Sequence, residues 1–346
     1  MVEYLAGGRI QGTSTLTTSP PATGWKELKR VTLSSAGSTI DTGTFTAKDN
    51  MMILTYDLGN TSTPSTNGAR QFNSDTANNY SSRHRANGGG SNTATDDDTI
   101  QDSDQDSPSF DVQQFANIAG QEKFVIGHQV MQNTAGAGNA PSIVENVGKW
   151  ANTSNQVTSY QMKSDQNFNI GSEIVVLGCD NDEADSGTNF WEKLGDFTQT
   201  TAGDAMDTGT FTAKKYLWIR VHEISDGNLD MNYLRFNSDS GSNYSFRKSN
   251  NGGSYDTNTS ITGVLYATHN GSVDHYAEFF VVNKSDQEKL IMGICTDSNS
   301  SGQEPRRKEF VSKWANTSAQ ITSVQTANGG SGNIGVGSTI TVWGSD

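Results

Sequence analysis

The side chains best placed to do chemistry in this sequence are amides and carboxylates that occur twice. Asn73, Asp75 and Asn79 follow Phe72, with Arg83 beyond them. Asn237, Asp239, Asn243 and Arg247 repeat the pattern after Phe236. Such a set has two uses. Asn and Asp accept hydrogen bonds from nearby backbone in tight turns, and an Arg across a hairpin can clasp the Asp through two parallel bonds. On that reading the cluster is structural. On the other, Asn73, Asp75, Asn79, Asn237, Asp239 and Asn243 form a polar surface that contacts a glycan or a neighbouring protein.

A second group is acidic. Asp96-Asp97-Asp98 is followed by Asp102, Asp104 and Asp106, alternating as in a calcium loop. Ser107 stands where an EF-hand needs Gly, and Gln113 where its bidentate Glu belongs. The run therefore reads first as a solvated loop, and second as an irregular Ca²⁺ site on Asp102, Asp104 and Asp106. The Asp180, Asp182, Glu183, Asp185 run is weaker still, and no other cofactor is expected. The five histidines, His84, His128, His222, His269 and His275, are not duplicated, and no His or Cys spacing fits zinc. There is no Gly-x-Ser-x-Gly elbow and no Walker loop. A glycosidase needs two carboxylates across a cleft, and the repeated acids here already have turn roles. The expectation is a protein that is not an enzyme.

The elements that position these groups come from a duplication. The octet Asp-Thr-Gly-Thr-Phe-Thr-Ala-Lys runs from Asp41 to Lys48 and again from Asp207 to Lys214. Around it, Trp25-Lys-Glu-Leu28 matches Trp191-Glu-Lys-Leu194, and Asn87-Gly88-Gly89 matches Asn251-Gly252-Gly253. Gln121-Glu-Lys123 matches Gln287-Glu-Lys289, and Lys149-Trp-Ala-Asn-Thr-Ser154 matches Lys313-Trp-Ala-Asn-Thr-Ser318. Apolar strands are expected at 51–56, 124–130 and 173–178, and at 216–221, 290–295 and 339–344. Each repeat offers about eight or nine short strands between polar turns, the plan of a β-sandwich or jelly roll. The fold expected is all-β: an N-terminal arm (1–24), a first sandwich (25–178), an acidic linker (179–190) and a second sandwich (191–346). The octet reads as an entering corner of each sandwich, and the six tryptophans as core or interface residues.

Composition agrees. The chain has 346 residues, 36 of them Gly, with 9% aromatic residues and a net charge of −14. That charge argues against a nucleic-acid partner, which needs a basic footprint. No apolar run has the length of a membrane span. Cys179 and Cys295 fall at unmatched places and read as free thiols. The start lacks the basic and apolar regions of a signal peptide, so synthesis in a cytosol is expected. In the arm, Tyr4, Leu5 and Ile10 either belong to a disordered end or dock onto a neighbouring subunit.

Taken in order, Trp-x-x-Leu, Phe-Asn-x-Asp-x-x-x-Asn-Tyr-x-x-Arg, Asn-Gly-Gly, Glu-Lys before a strand, Lys-Trp-Ala-Asn-Thr-Ser and a closing Gly-Ser-x-Ile resemble the structural modules of phage virions, such as capsid decorations and head or tail appendages. The likeness covers 25–178 and 191–344 and brings no catalytic residue. It implies a virion structural protein made in the host cytoplasm, homo-oligomeric and partnered by other virion proteins. Two alternatives stand beside it: a major capsid protein of double jelly-roll type, and a glycan-binding or adhesin module.

Overall fold

The computed structural model describes residues 2–4, 10–12, 24–59, 67–104, 108–181, 189–227, 231–268, 273–297 and 304–346. They form strands joined by turns, with no helix among the described residues. A hairpin of β1 (Val2–Tyr4) and β2 (Ile10–Gly12) comes first. The first repeat supplies β3 (Lys26–Thr32), β4 (Gly37–Thr44), β5 (Asn50–Asp57), β6 (Asn67–Phe72), β7 (Tyr80–Ala86), β8 (Asn92–Asp97), β9 (Ile100–Asp104), β10 (Ser109–Ala116), β11 (Lys123–Met131), β12 (Ser142–Trp150), β13 (Ser159–Phe168) and β14 (Glu173–Cys179). The second supplies β15 (Glu192–Thr198), β16 (Ala205–Asp207), β17 (Tyr216–Glu223), β18 (Ser225–Asp226), β19 (Met231–Phe236), β20 (Tyr244–Asn250), β21 (Tyr255–Ile261), β22 (Val264–Thr268), β23 (His275–Val282), β24 (Lys289–Asp297), β25 (Arg306–Trp314), β26 (Val324–Asn328), β27 (Asn333–Ile334) and β28 (Thr339–Ser345).

Each repeat is an antiparallel two-sheet sandwich. In the first, an eight-stranded sheet runs β3-β14-β5-β10-β11-β12-β7-β8 and a four-stranded sheet runs β4-β13-β6-β9. The second repeats both orders as β15-β28-β17-β23-β24-β25-β20-β21 and β16-β26-β19-β22. The chain is therefore all-β and built of two tandem homologous sandwiches. By compactness it divides into unit 1, Met1–Gln129 with Val144–Glu192, and unit 2, Val130–Ile143 with Lys193–Asp346. The stretch leading from β11 to β12 thus packs as part of unit 2.

Alternation builds each core, because successive strand residues point to opposite faces. In unit 1 the large sheet turns Ile53, Phe115, Val125, Trp150 and Val176 inward, and the small sheet answers with Ile40, Phe72, Tyr160 and Met162. Unit 2 is filled in the same way by Ile219, Val281, Ile291, Trp314 and Val342 against Met206, Leu234, Phe236 and Val324. Two interior glycines let bulky neighbours lie close to the sheet. A Cβ on Gly127 would meet Asn146, and one on Gly293 would sit 2.4 Å from the Phe310 ring.

The duplicated octet sits where each sandwich leaves its small sheet. Asp41 accepts the Gly43 N–H at 2.8 Å, and Gly43 has φ 60; Asp207 and Gly209 repeat this at 2.8 Å and φ 68. Positive φ is a conformation that Gly adopts without steric cost. The last residue of each copy is a staple to the end of its repeat, Lys48 to Asp180 at 2.8 Å and Lys214 to Asp346 at 2.9 Å.

Candidate functional site

The repeated polar cluster forms a corner. Asn73 and Ser74 both have φ 53, and Asp75 donates its N–H to the Phe72 carbonyl at 2.9 Å, which closes a turn with two left-handed central residues. The Asn73 side chain bridges to the next strand, accepting the N–H groups of Thr158 and Ser159 and donating to the Gln156 carbonyl. Asp75 Oδ2 accepts from Asn79 at 2.9 Å and from the Trp150 indole at 2.8 Å. Burial raises the Asp75 pKa, but these bonds and that of the Ala77 N–H outweigh it, so the carboxyl is held below its ordinary value. Asn237, Asp239 and Asn243 repeat the geometry with Trp314, and the Asp239 carboxyl is lowered by the same balance. The expected Arg–Asp clasp is not formed. Arg83 is exposed on β7, and Arg247 donates to the Pro141 carbonyl. The indole N–H groups and turn amides already fill the Asp oxygens.

The acidic run is not the loop expected: Asp96 and Asp97 close β8, and Asp102 and Asp104 lie in β9. Asp106 and the side chains of 101–104 lie outside the described residues. Among the described residues no group of three or more His, Cys, Asp or Glu is placed to hold a metal. In the arm, Tyr4 pairs with Ile10 across the β1–β2 hairpin, and Leu5 lies outside the described residues. Cys179 is half-buried and Cys295 buried, both as free thiols. Five of the six tryptophans are buried, and Trp343 is half-buried. In unit 2, Glu223, Asn232 and His275 form a buried, hydrogen-bonded triad.

An open apolar surface lies on the outer face of the large sheet of unit 1. On β11 the inward Val125 is buried, while Phe124 and Ile126 are 64% and 69% exposed; Val147 on β12 is 48% exposed. Val147 is opposite Arg83, and Lys149 opposite Ser81. Lys149 pairs with Glu122 at 3.1 Å. With Thr93 of β8 these residues line a groove of about 520 Å³. Full burial of an aliphatic or aromatic side chain contributes about 1.5–3 kcal/mol, so three adjacent open ones leave several kcal/mol unrealised. The rim cations add donors for a partner's carbonyls or carboxylates.

The corresponding face in unit 2 is closed. Leu290, Met292, Val311 and Lys313 hold the places of Phe124, Ile126, Val147 and Lys149, and all four are buried. The segment 130–143 spans that face through its backbone. Lys313 donates to the Gln132 and Thr134 carbonyls, Arg247 to Pro141 at 2.9 Å, Ser245 to Asn139 at 2.8 Å, and the Ser260 N–H to Ala137 at 2.8 Å. Gly136 in turn donates its N–H to Glu288 at 2.6 Å. The ion pair Lys313–Glu288 is thus the buried counterpart of the open Lys149–Glu122. Burial lowers the Lys313 pKa, against the pull of Glu288. Sequence reasoning treated 124–130 and 290–295 as equivalent apolar strands and missed this face. The available signal was apolar residues at 124, 126 and 147, outward positions of a sheet where polar ones are usual.

No family model matches the chain, and no curated protein matches it. Among solved structures, the mouse laminin alpha1 chain, domains LG4-5, aligns at 10% identity over 95% of this chain and 92% of that one, with a TM-score of 0.19. Human GIVD cytosolic phospholipase A2 aligns at 8% identity over 87% of this chain and 33% of that one, with a TM-score of 0.13. At such TM-scores neither likeness carries an argument about this chain.

Proposed function

We propose that this chain is a non-enzymatic structural protein of a virion, a capsid decoration or a head or tail appendage, whose activity is assembly. The observation that carries the reading is the open face of Phe124, Ile126 and Val147 beside Arg83 and Lys149. A contiguous apolar patch rimmed by polar groups is the signature of a protein–protein contact. The virion setting comes from the likeness of the repeated motifs to phage structural modules, and it makes other virion proteins and further copies of the chain the partners. Mass spectrometry of purified particles with copy-number estimation tests the reading. Stoichiometric recovery with particles is expected. Recovery only as free protein, with specific signal on a glycan array, would replace it with the adhesin reading. Imaging that places the chain in the closed shell would replace it with the major-capsid reading.

A further inference from the structure

We propose that the open face of unit 1 is a seat for a turn of another protein: an uncharged loop of small residues that presents its main-chain carbonyls, as 130–143 does to the face of unit 2. The inference deepens the assembly reading above and rests on it for a partner outside this chain.

What such a face binds is visible in unit 2. Its cover, residues 130–143, contains no charged residue. Asn133 and Gly136 adopt φ 58 and φ 92. The turn is braced from within: Asn139 donates to the Ala135 carbonyl at 2.8 Å, and Asn133 to that of Ala140 at 3.2 Å. Its bonds to the face involve five groups. Lys313, Arg247, Ser245 and the Ser260 N–H donate to its carbonyls, and Glu288 accepts its Gly136 N–H. In each of these bonds the cover contributes a main-chain atom, so the shape of the turn is recognised more than its sequence.

All five groups recur in unit 1. Lys149, Arg83, Ser81 and Glu122 match Lys313, Arg247, Ser245 and Glu288 type for type, and Ser81 faces Lys149 across the strands as Ser245 faces Lys313. Asp96 matches Ser260: both have φ 52 and stand at the register shift of an edge hairpin, where the extra residue is left out of the ladder. Ser81, Arg83 and Lys149 line the groove of about 520 Å³ with the open Phe124, Ile126 and Val147. The Lys149 and Glu122 side chains are 39% and 33% exposed, against 0% and 4% for Lys313 and Glu288. Four of the five groups donate, and Glu122 already balances the Lys149 charge, so the face suits carbonyls better than a charged strand. The chain's own turn of this kind is engaged on unit 2, so the occupant of unit 1 comes from a different polypeptide.

The test uses the full chain and a synthetic peptide of residues 131–143, closed into a ring to hold the turn and labelled for fluorescence anisotropy. Saturable binding to the wild-type chain is expected, since the seat on unit 2 is already filled. Ile126→Asp and, separately, Lys149→Met are expected to weaken it by roughly tenfold or more. Circular dichroism and thermal melts check that each variant is folded. A ring carrying Gly136→Val, which disfavours φ 92, is expected to bind no better than a ring of shuffled sequence. Absence of saturable binding to the folded wild type overturns the inference. So does binding that either variant leaves unchanged, or a shuffled ring that binds equally well. Self-association in sedimentation velocity that Ile126→Asp abolishes would give the face to a second copy, and overturns it too. Mass spectrometry of particles reads the assembly role separately. A chain recovered in particles that does not bind the ring removes the turn and leaves the assembly role standing; ring binding by a chain absent from particles does the reverse.

Discussion

Trp150 donates its indole N–H to Asp75 at 2.8 Å, and Trp314 makes the same bond to Asp239 at 2.7 Å. Both rings are buried and stack on a tyrosine, Tyr80 or Tyr244, whose hydroxyl bonds the backbone of the same corner. The carboxylates therefore anchor the core. Asp239→Ala removes the acceptor from a buried N–H and from Asn243, and is expected to cost about 2–3 kcal/mol in urea unfolding. Because both carboxyls titrate below their ordinary value, their contribution is present above that value and is lost as pH falls through the lower folded one. A variant as stable as wild type would return the cluster to the list of surface sites.

The two cores differ at a buried ion pair. Arg70 donates to Asp111 at 2.9 Å inside unit 1, and the matching positions in unit 2 are Leu234 and Ala277. Asp111→Ala alone removes a carboxylate from a buried guanidinium and is expected to cost about 3–5 kcal/mol. Arg70→Leu together with Asp111→Ala is expected to regain most of that, within about 1 kcal/mol of wild type. A double variant no better than the single would mean that unit 1 needs the ions for more than filling space.

His128 lies half-buried on β11, and burial lowers its pKa to about 4, against the attraction of Glu145. The unfolded chain binds this proton near the ordinary value of 6.5, so stability falls as pH drops from 6.5 toward 4 and then levels. His128→Gln is expected to remove on the order of 2 kcal/mol of that pH dependence, the full shift being discounted for partial solvent access. Parallel wild-type and variant curves from pH 7.5 to 4 would refute it.

Burial pushes the Cys295 thiol up to about 12. At pH 8 it is expected to react with a thiol reagent only as fast as unit 2 opens, while the half-buried Cys179 labels first. Peptide mapping after timed labelling reads the order, and prompt modification of Cys295 in folded protein would contradict its placement.

The fold was largely legible because the apolar strands alternate cleanly and occur twice: Asn50–Asp57, Lys289–Asp297 and Thr339–Ser345 extend the expected runs by a residue or two. The strands that escaped reading are polar ones at sheet edges. Asn92–Asp97, with two acids, is β8 at the end of its sheet, where charge guards an open edge against unwanted pairing. The Asp–Trp bonds were illegible because their partners are separated by 75 positions. The open face was illegible for another reason: Phe124 and Leu290 are both apolar, and only the placement of 130–143 buries one of them.

That placement also limits how far the duplication can be taken apart. The segment 130–143 is encoded inside the first repeat and packed in the second unit, so the repeats and the compact units do not coincide. A clone beginning at Trp191 would carry a whole repeat but lack its cover, leaving Leu290, Met292, Val311 and Lys313 open to water. Inherited change in one half is therefore screened by the other. The two copies can diverge, as Arg70 and Leu234 have, but they cannot be shuffled as independent cassettes.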